Sequence, residues 1–211
     1  MQAINPANGE TIGEYPDHDE SEVERRIEAA KSAFSSWSAL GVTDRGKPMK
    51  RLAEHLRARK NDLAALMARE MGKPVSQGVS EAEKCAGTAE FFAEHAATFL
   101  ADDVVRTEAK KAYVAYRPLG VVLGIMPWNF PLWQVVRAAA PALMAGNAML
   151  VKHAPNTPGC AVALATLFRD SGFPEGLLDV LFVEEARVGA IIDDRRIAGV
   201  TLTGSTRAGR A

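Results

Sequence analysis

Four short stretches hold side chains able to do chemistry. In Met126-Pro127-Trp128-Asn129-Phe130-Pro131 an asparagine sits between two prolines, directly after an apolar, β-branched run from Leu119 to Met126. Proline fixes the backbone, so the Asn129 amide can act as a preset donor to a developing oxyanion, worth about 3–4 kcal/mol in a preorganised site. It can equally satisfy the backbone of its own turn. Lys152 ends a second apolar run, Ala148 to Lys152, in VKHAPNTP. A lysine there can bind a ribose or phosphate oxygen, or simply reach solvent. Ser205, in TLTGST, follows a third run and opens a helix. Its hydroxyl and the free N–H groups suit a pyrophosphate, or serve as a plain N-cap. Arg137 is the lone charge in the apolar helical stretch Leu132 to Ala145. It can clamp a substrate carboxylate or extend to solvent.

Other residues argue for less. Cys160 falls in the first turn of a helix, where the dipole favours thiolate, yet no base lies near it in sequence. Both Cys160 and Cys85 are expected to be small buried hydrophobes. The four histidines show no metal-ligand spacing, so no metal is expected. No GxGxxG is present, so the common dinucleotide fingerprint gives no support.

These stretches need elements to place them. Val23, Ile27, Ala30, Phe34 and Trp37 mark one face of a helix, with Ser21 and Glu24 as a capping box. Thr43 is expected to cap a second helix whose stripe includes Leu52, Leu56, Leu63 and Leu66, ending near Met71-Gly72 before Pro74. A third runs from Val75 to Leu100. Val104-Val105 and Tyr113 to Tyr116 flank the charged turn EAKK as a short hairpin. Beyond Leu119, strands alternate with helices: Leu119 to Met126, Ala148 to Lys152, Leu178 to Val183 and Ile197 to Thr203. Thr157-Pro158 reads as the N-cap and first residue of a helix to Asp170. Continuous apolar strands with helical crossovers predict an α/β fold with a doubly wound, Rossmann-like parallel sheet. Two regions are expected: residues 1–118, helical with a short hairpin, and residues 119–211, an incomplete nucleotide-binding unit. The last residues, Gly204 to Ala211, only begin a helix, so apolar sheet surface is expected to lie uncovered and to promote association.

Composition narrows the class. A chain of 211 residues that is 47% hydrophobic and 24% charged is not disordered. Its net charge of -1 offers no footprint for nucleic acid or acidic lipid. Two cysteines and no secretory leader predict a reducing compartment, the cytoplasm.

MPWNFPLW, the turn Ala145 to Asn147, VKHAPN and TLTGSTRAG, in this order, resemble the aldehyde dehydrogenase superfamily, as do INPANGE and REMGKP. The nearest likeness is to bacterial NAD(P)-dependent succinate-semialdehyde dehydrogenases with the KHAPN variant. The resemblance implies that Asn129 is the oxyanion donor. It implies that Met126, Pro127, Trp128, Asn129, Lys152, Ala154, Pro155, Gly204 and Ser205 line the cofactor, NAD or NADP. Arg137 falls where such enzymes hold the far carboxylate of the substrate. Many NAD-preferring members carry a Glu shortly after the Lys; here Pro155 follows, so NADP is admitted. The family's nucleophilic Cys and general-base Glu lie beyond the GST turn, so these residues alone are expected to be an inactive fragment. Full-length relatives are homo-oligomers acting on small aldehydes. The competing readings are a non-catalytic nucleotide-binding module and a dehydrogenase for another small aldehyde.

Overall fold

The computed structural model describes residues 1–210; Ala211, the last residue of the expected helix start, lies outside the described residues. Strands β1 (Gln2–Ile4) and β2 (Thr11–Glu14) form an antiparallel hairpin. Four helices follow: α1 (Glu20–Ser38), α2 (Val42–Ala58), α3 (Lys60–Met71) and α4 (Val75–Phe99). A second hairpin pairs β3 (Asp103–Val104) with β4 (Tyr113–Val114). Then come β5 (Val121–Ile125), α5 (Trp133–Met144), β6 (Ala148–Lys152), α6 (Pro158–Asp170), β7 (Leu178–Val180), α7 (Val188–Ile192) and β8 (Ile197–Leu202).

The last four strands form one parallel sheet in the order β7-β6-β5-β8. The chain steps outward from β5 to β6 to β7, then returns to the other side of β5. That reversal is a topological switch point, and it opens a crevice at the carboxyl ends of β5 and β8. Every residue of β6 is buried, as expected of a strand covered on both faces. On β8, by contrast, Ala198, Val200 and Leu202 are exposed, on the face expected to lie uncovered.

The helical layer grips the crossover helices at both ends. At the C-terminus of α5, the Trp37 indole N–H donates to the Leu143 carbonyl at 2.7 Å and Arg45 donates to Met144 at 3.0 Å. At its N-terminus, Glu81 accepts from the N–H groups of Leu132 and Trp133. The pattern repeats on α6. Glu70 accepts from Gly159 and Cys160, and Arg51 donates to the Ser171 carbonyl. Carboxylates at N-termini and cations at C-termini follow the helix dipole. One apolar cluster, including Trp37, Leu52, Leu123, Leu143, Met149 and Phe168, runs through helices and sheet alike.

Four local expectations change. The N-terminal hairpin was not expected among the helices; its only buried residue in a strand is Ala3, so it shows no periodicity. Asp19, not Ser21, caps α1, accepting from the Glu22 N–H at 2.8 Å while the Ser21 hydroxyl donates to Asp19. Helix α2 starts one residue before Thr43, behind Gly41, with no side-chain cap, and Arg59 separates it from α3. Thr157 precedes α6, but its hydroxyl meets His153 and Glu70 takes the capping role.

Candidate active site

Strand register brings the candidate residues together. Ile125, at the end of β5, pairs with Lys152 on one side and Leu202 on the other. The Met126 N–H donates to the Lys152 carbonyl, and the Thr203 N–H donates to the Ile125 carbonyl, both at 3.0 Å. The segment from Met126 to Phe130 and the turn Gly204-Ser205 therefore leave the sheet side by side, at the switch point. Met126 and Ala154 are buried; Trp128, Asn129, Pro155, Gly204 and Ser205 are exposed, and Pro127 is half-buried.

The Asn129 amide makes no hydrogen bond among the described residues, so it does not serve its own turn. Its loop is nonetheless held from several sides. The His153 imidazole, 2% exposed, donates from Nε2 to the Pro131 carbonyl at 2.9 Å. Its Nδ1 accepts from the Ala154 N–H at 2.9 Å, which fixes the tautomer, and also meets the Thr157 hydroxyl. Sequence reasoning missed His153; a histidine directly after a buried strand-end lysine was its only signal.

Burial pushes the His153 imidazole below its ordinary 6.5, so the folded protein keeps it neutral. The unfolded chain takes up that proton as pH falls through about 6.5, while the folded chain resists it. The stability contributed by the neutral ring is thus present above this value and lost below it. Denaturant midpoints measured from pH 7.5 to 5.5 should fall in the parent, and His153→Gln should flatten the decline. An unchanged slope in the variant would refute this origin.

A cleft of about 220 Å³ lies between the strand ends and α7, lined by Ile125, Lys152, Val188, Leu202, Arg207 and Ala208 among others. Lys152 is only 7% exposed, and no ion pair or hydrogen bond of its ammonium occurs among the described residues. Glu185 also lines the cleft but makes no ion pair with Lys152, so a nearly buried cation on mainly apolar walls, with Arg207 beside it, suits a polyhydroxyl or anionic ligand. Ser205 was expected to open a helix, but residues 206–210 form turns; its hydroxyl accepts from the Ala208 N–H at 3.2 Å and closes the first of them, because the chain leaves β8 without the run of i to i+4 bonds a helix needs. Apolar walls, a strand-end cation and a capped turn together fit a dinucleotide. Arg137 is exposed, and its guanidinium donates to Gln134 at 3.0 Å and to the Thr203 hydroxyl at 2.9 Å. It thus reaches across to the end of β8 beside the crevice.

Neither thiol belongs to this site. Cys85 and Cys160 are both free and buried. Burial, with the nearby Glu70 carboxylate, drives the Cys160 thiol far above its ordinary value. Burial does the same to Cys85, with Glu81 adding to it. A disulfide reagent should leave both untouched in the native protein and titrate both in denaturant. Rapid labelling of native Cys160 would contradict this packing.

The sequence profile of the aldehyde dehydrogenase family matches residues 1–211. The chain belongs to the aldehyde dehydrogenase family. It is 47% identical over 214 residues to the succinate-semialdehyde dehydrogenase (NADP(+)) of Mycobacterium leprae, covering 100% of this chain and 47% of that one. It is 42% identical to the succinate semialdehyde dehydrogenase (NAD(P)+) of Escherichia coli K12, over 99% of this chain and 45% of the relative. The crystal structure of succinic semialdehyde dehydrogenase from Streptococcus pyogenes with NADP+ superposes with a TM-score of 0.95 at 30% identity, covering 99% of this chain and 46% of that one. This aldehyde dehydrogenase chain spans about half the length of the curated relatives it matches. No described helix is long and apolar enough to cross a membrane.

Proposed function

We propose that this chain forms the cofactor-binding and oxyanion-holding part of a cytoplasmic, NAD(P)-dependent dehydrogenase that oxidises succinate semialdehyde to succinate. The observation that carries it is the unpaired Asn129 amide, held beside a cleft whose buried cation, Lys152, has no partner. In this reading residues 119–211 supply the cleft, while residues 1–118 brace it and contribute to a homo-oligomer.

The roles follow from placement. The Asn129 amide donates to the aldehyde oxygen as that oxygen gains charge. Lys152 donates to the ribose hydroxyls, and the turn at Gly204-Ser205 receives the pyrophosphate. Met126, Pro127, Trp128, Ala154 and Pro155 shape the walls between them. Bound NAD or NADP supplies the hydride acceptor. Residues 1–211 alone are proposed not to turn over, because neither thiol is accessible for attack on an aldehyde. The same buried thiols favour a second reading, nucleotide binding without catalysis.

Arg137 separates succinate semialdehyde from other small aldehydes. Losing a charge-assisted pair costs about 1.5–3 kcal/mol. In a fusion of residues 1–211 to the remaining part of the E. coli relative, Arg137→Ala should raise KM for succinate semialdehyde by about 10- to 150-fold. A neutral aldehyde of similar size should be spared. Equal losses on both substrates would remove the carboxylate role.

A further inference from the structure

We propose that Glu81, paired with Lys73, is the positioning residue of the Asn129 loop. It holds the backbone three and four residues after Asn129, at Leu132 and Trp133, so that the amide is held still for an oxygen ligand. This rests on reading Asn129 as the oxyanion donor.

Glu81 lies on α4, and Lys73 follows Gly72, whose φ of 73° ends α3 in the left-handed conformation. Their side chains are 1% and 5% exposed and form an ion pair. Such a pair is expensive to bury unless its remaining hydrogen-bonding capacity is met. Here it is met by the loop. Glu81 Oε2 takes the Lys73 ammonium, and Oε1 accepts from both the Leu132 and Trp133 N–H groups at 2.9 Å. On the other side, Lys73 Nζ stands 4.0 Å from the centroid of the Phe130 ring. Ion pair and loop thus share three of the four residues that follow Asn129.

An ordinary N-cap would come from a Ser or Asp beside the helix. That place is filled by Phe130, Pro131 and Leu132, none of which has a capping side chain, and no local cap is made. The cap arrives instead from α4, across about 50 positions of sequence. Together with His153 on the Pro131 carbonyl, it leaves the loop restrained around one unpartnered amide. A donor held by its neighbours while its own hydrogens stay free is preorganised.

Backbone amide exchange and the NMR signal of the Asn129 side-chain amide, both measured on the 211-residue protein, test this. Glu81→Ala should speed exchange at Leu132 and Trp133 about tenfold or more, and broaden the Asn129 signal, while β5 and β6 keep their protection. Lys73→Met/Glu81→Met removes the cap with an apolar pair of similar bulk, so it guards against simple unfolding. It should loosen the same amides and lower the melting temperature less than Glu81→Ala does, because it leaves no buried charge unpaired. Lys73→Met/Glu81→Gln, which keeps an acceptor, should restore most of the protection. The proposal is overturned if the Met pair leaves the loop amides and the Asn129 signal as in the parent, or if exchange rises uniformly along the chain. A loosened loop alongside an Asn129→Ala fusion of undiminished turnover would remove the oxyanion reading and leave the positioning intact.

Discussion

Asn129→Ala, made in the fusion to the remaining part of the E. coli relative, should lower kcat by about 10²–10³, with KM for the aldehyde little changed. The reason lies in when the amide acts. The aldehyde oxygen carries little charge on arrival and most of it in the tetrahedral state, so an oriented donor stabilises the second more than the first. The loop has already been fixed by Glu81, Lys73 and His153, so the amide needs no reorganisation as charge develops. Asn129→Asp should be at least as damaging, because it places a negative charge where a donor is needed. Steady-state kinetics on both variants check this, and a loss confined to KM would show that Asn129 only binds substrate.

Glu70→Ala should be strongly destabilising, by about 2–6 kcal/mol in denaturant unfolding, about 1–3 kcal/mol for each N–H group left without an acceptor. Glu70 is buried, yet both carboxylate oxygens are engaged, accepting from Gly159 at 2.7 Å and from Cys160 at 2.8 Å. Truncation would leave two buried N–H groups at the start of α6 without acceptors. No water-sized remedy comes from the local sequence, since the Thr157 hydroxyl is already engaged by His153. Glu70→Gln keeps an acceptor oxygen and should lose much less. Burial raises the Glu70 carboxyl above its ordinary value, so a protonated or neutral side chain is tolerated there. An alanine variant as stable as the parent would mean that α6 needs no cap from α3.

What could be read in the sequence follows from how local its signals are. The parallel unit was legible because β5, β6 and β8 are apolar runs, separated by helices long enough to cross over. Asn129, Lys152 and Ser205 were singled out because strand ends are where such sheets bind ligands, and Arg137 because it is the lone charge in an apolar helical stretch. The break at Arg59 was not, since Leu52, Leu56 and Leu63 continue one apolar stripe through it. Asp19 was overlooked because the nearer Ser21 and Glu24 also fit a capping pattern. Glu70, Glu81 and His153 were invisible as site-building residues because their partners lie far away along the chain. One signal did exist for the two carboxylates: Glu70 shares the inward stripe of Leu63 and Met67, and Glu81 that of Cys85. A charge on a buried stripe marks a partner to be found.

Residues 1–211 are proposed to hold the cofactor and the oxyanion while carrying no accessible thiol. Succinate semialdehyde and NADP+ should be given to the 211-residue protein and, separately, to its fusion with the remaining part of the E. coli relative, while reduced cofactor is followed by absorbance. No reduced cofactor above the blank is expected from residues 1–211, and steady turnover is expected from the fusion. Turnover by the 211-residue protein that vanishes with Cys160→Ala, or a folded, cofactor-binding fusion that stays inactive, would contradict this.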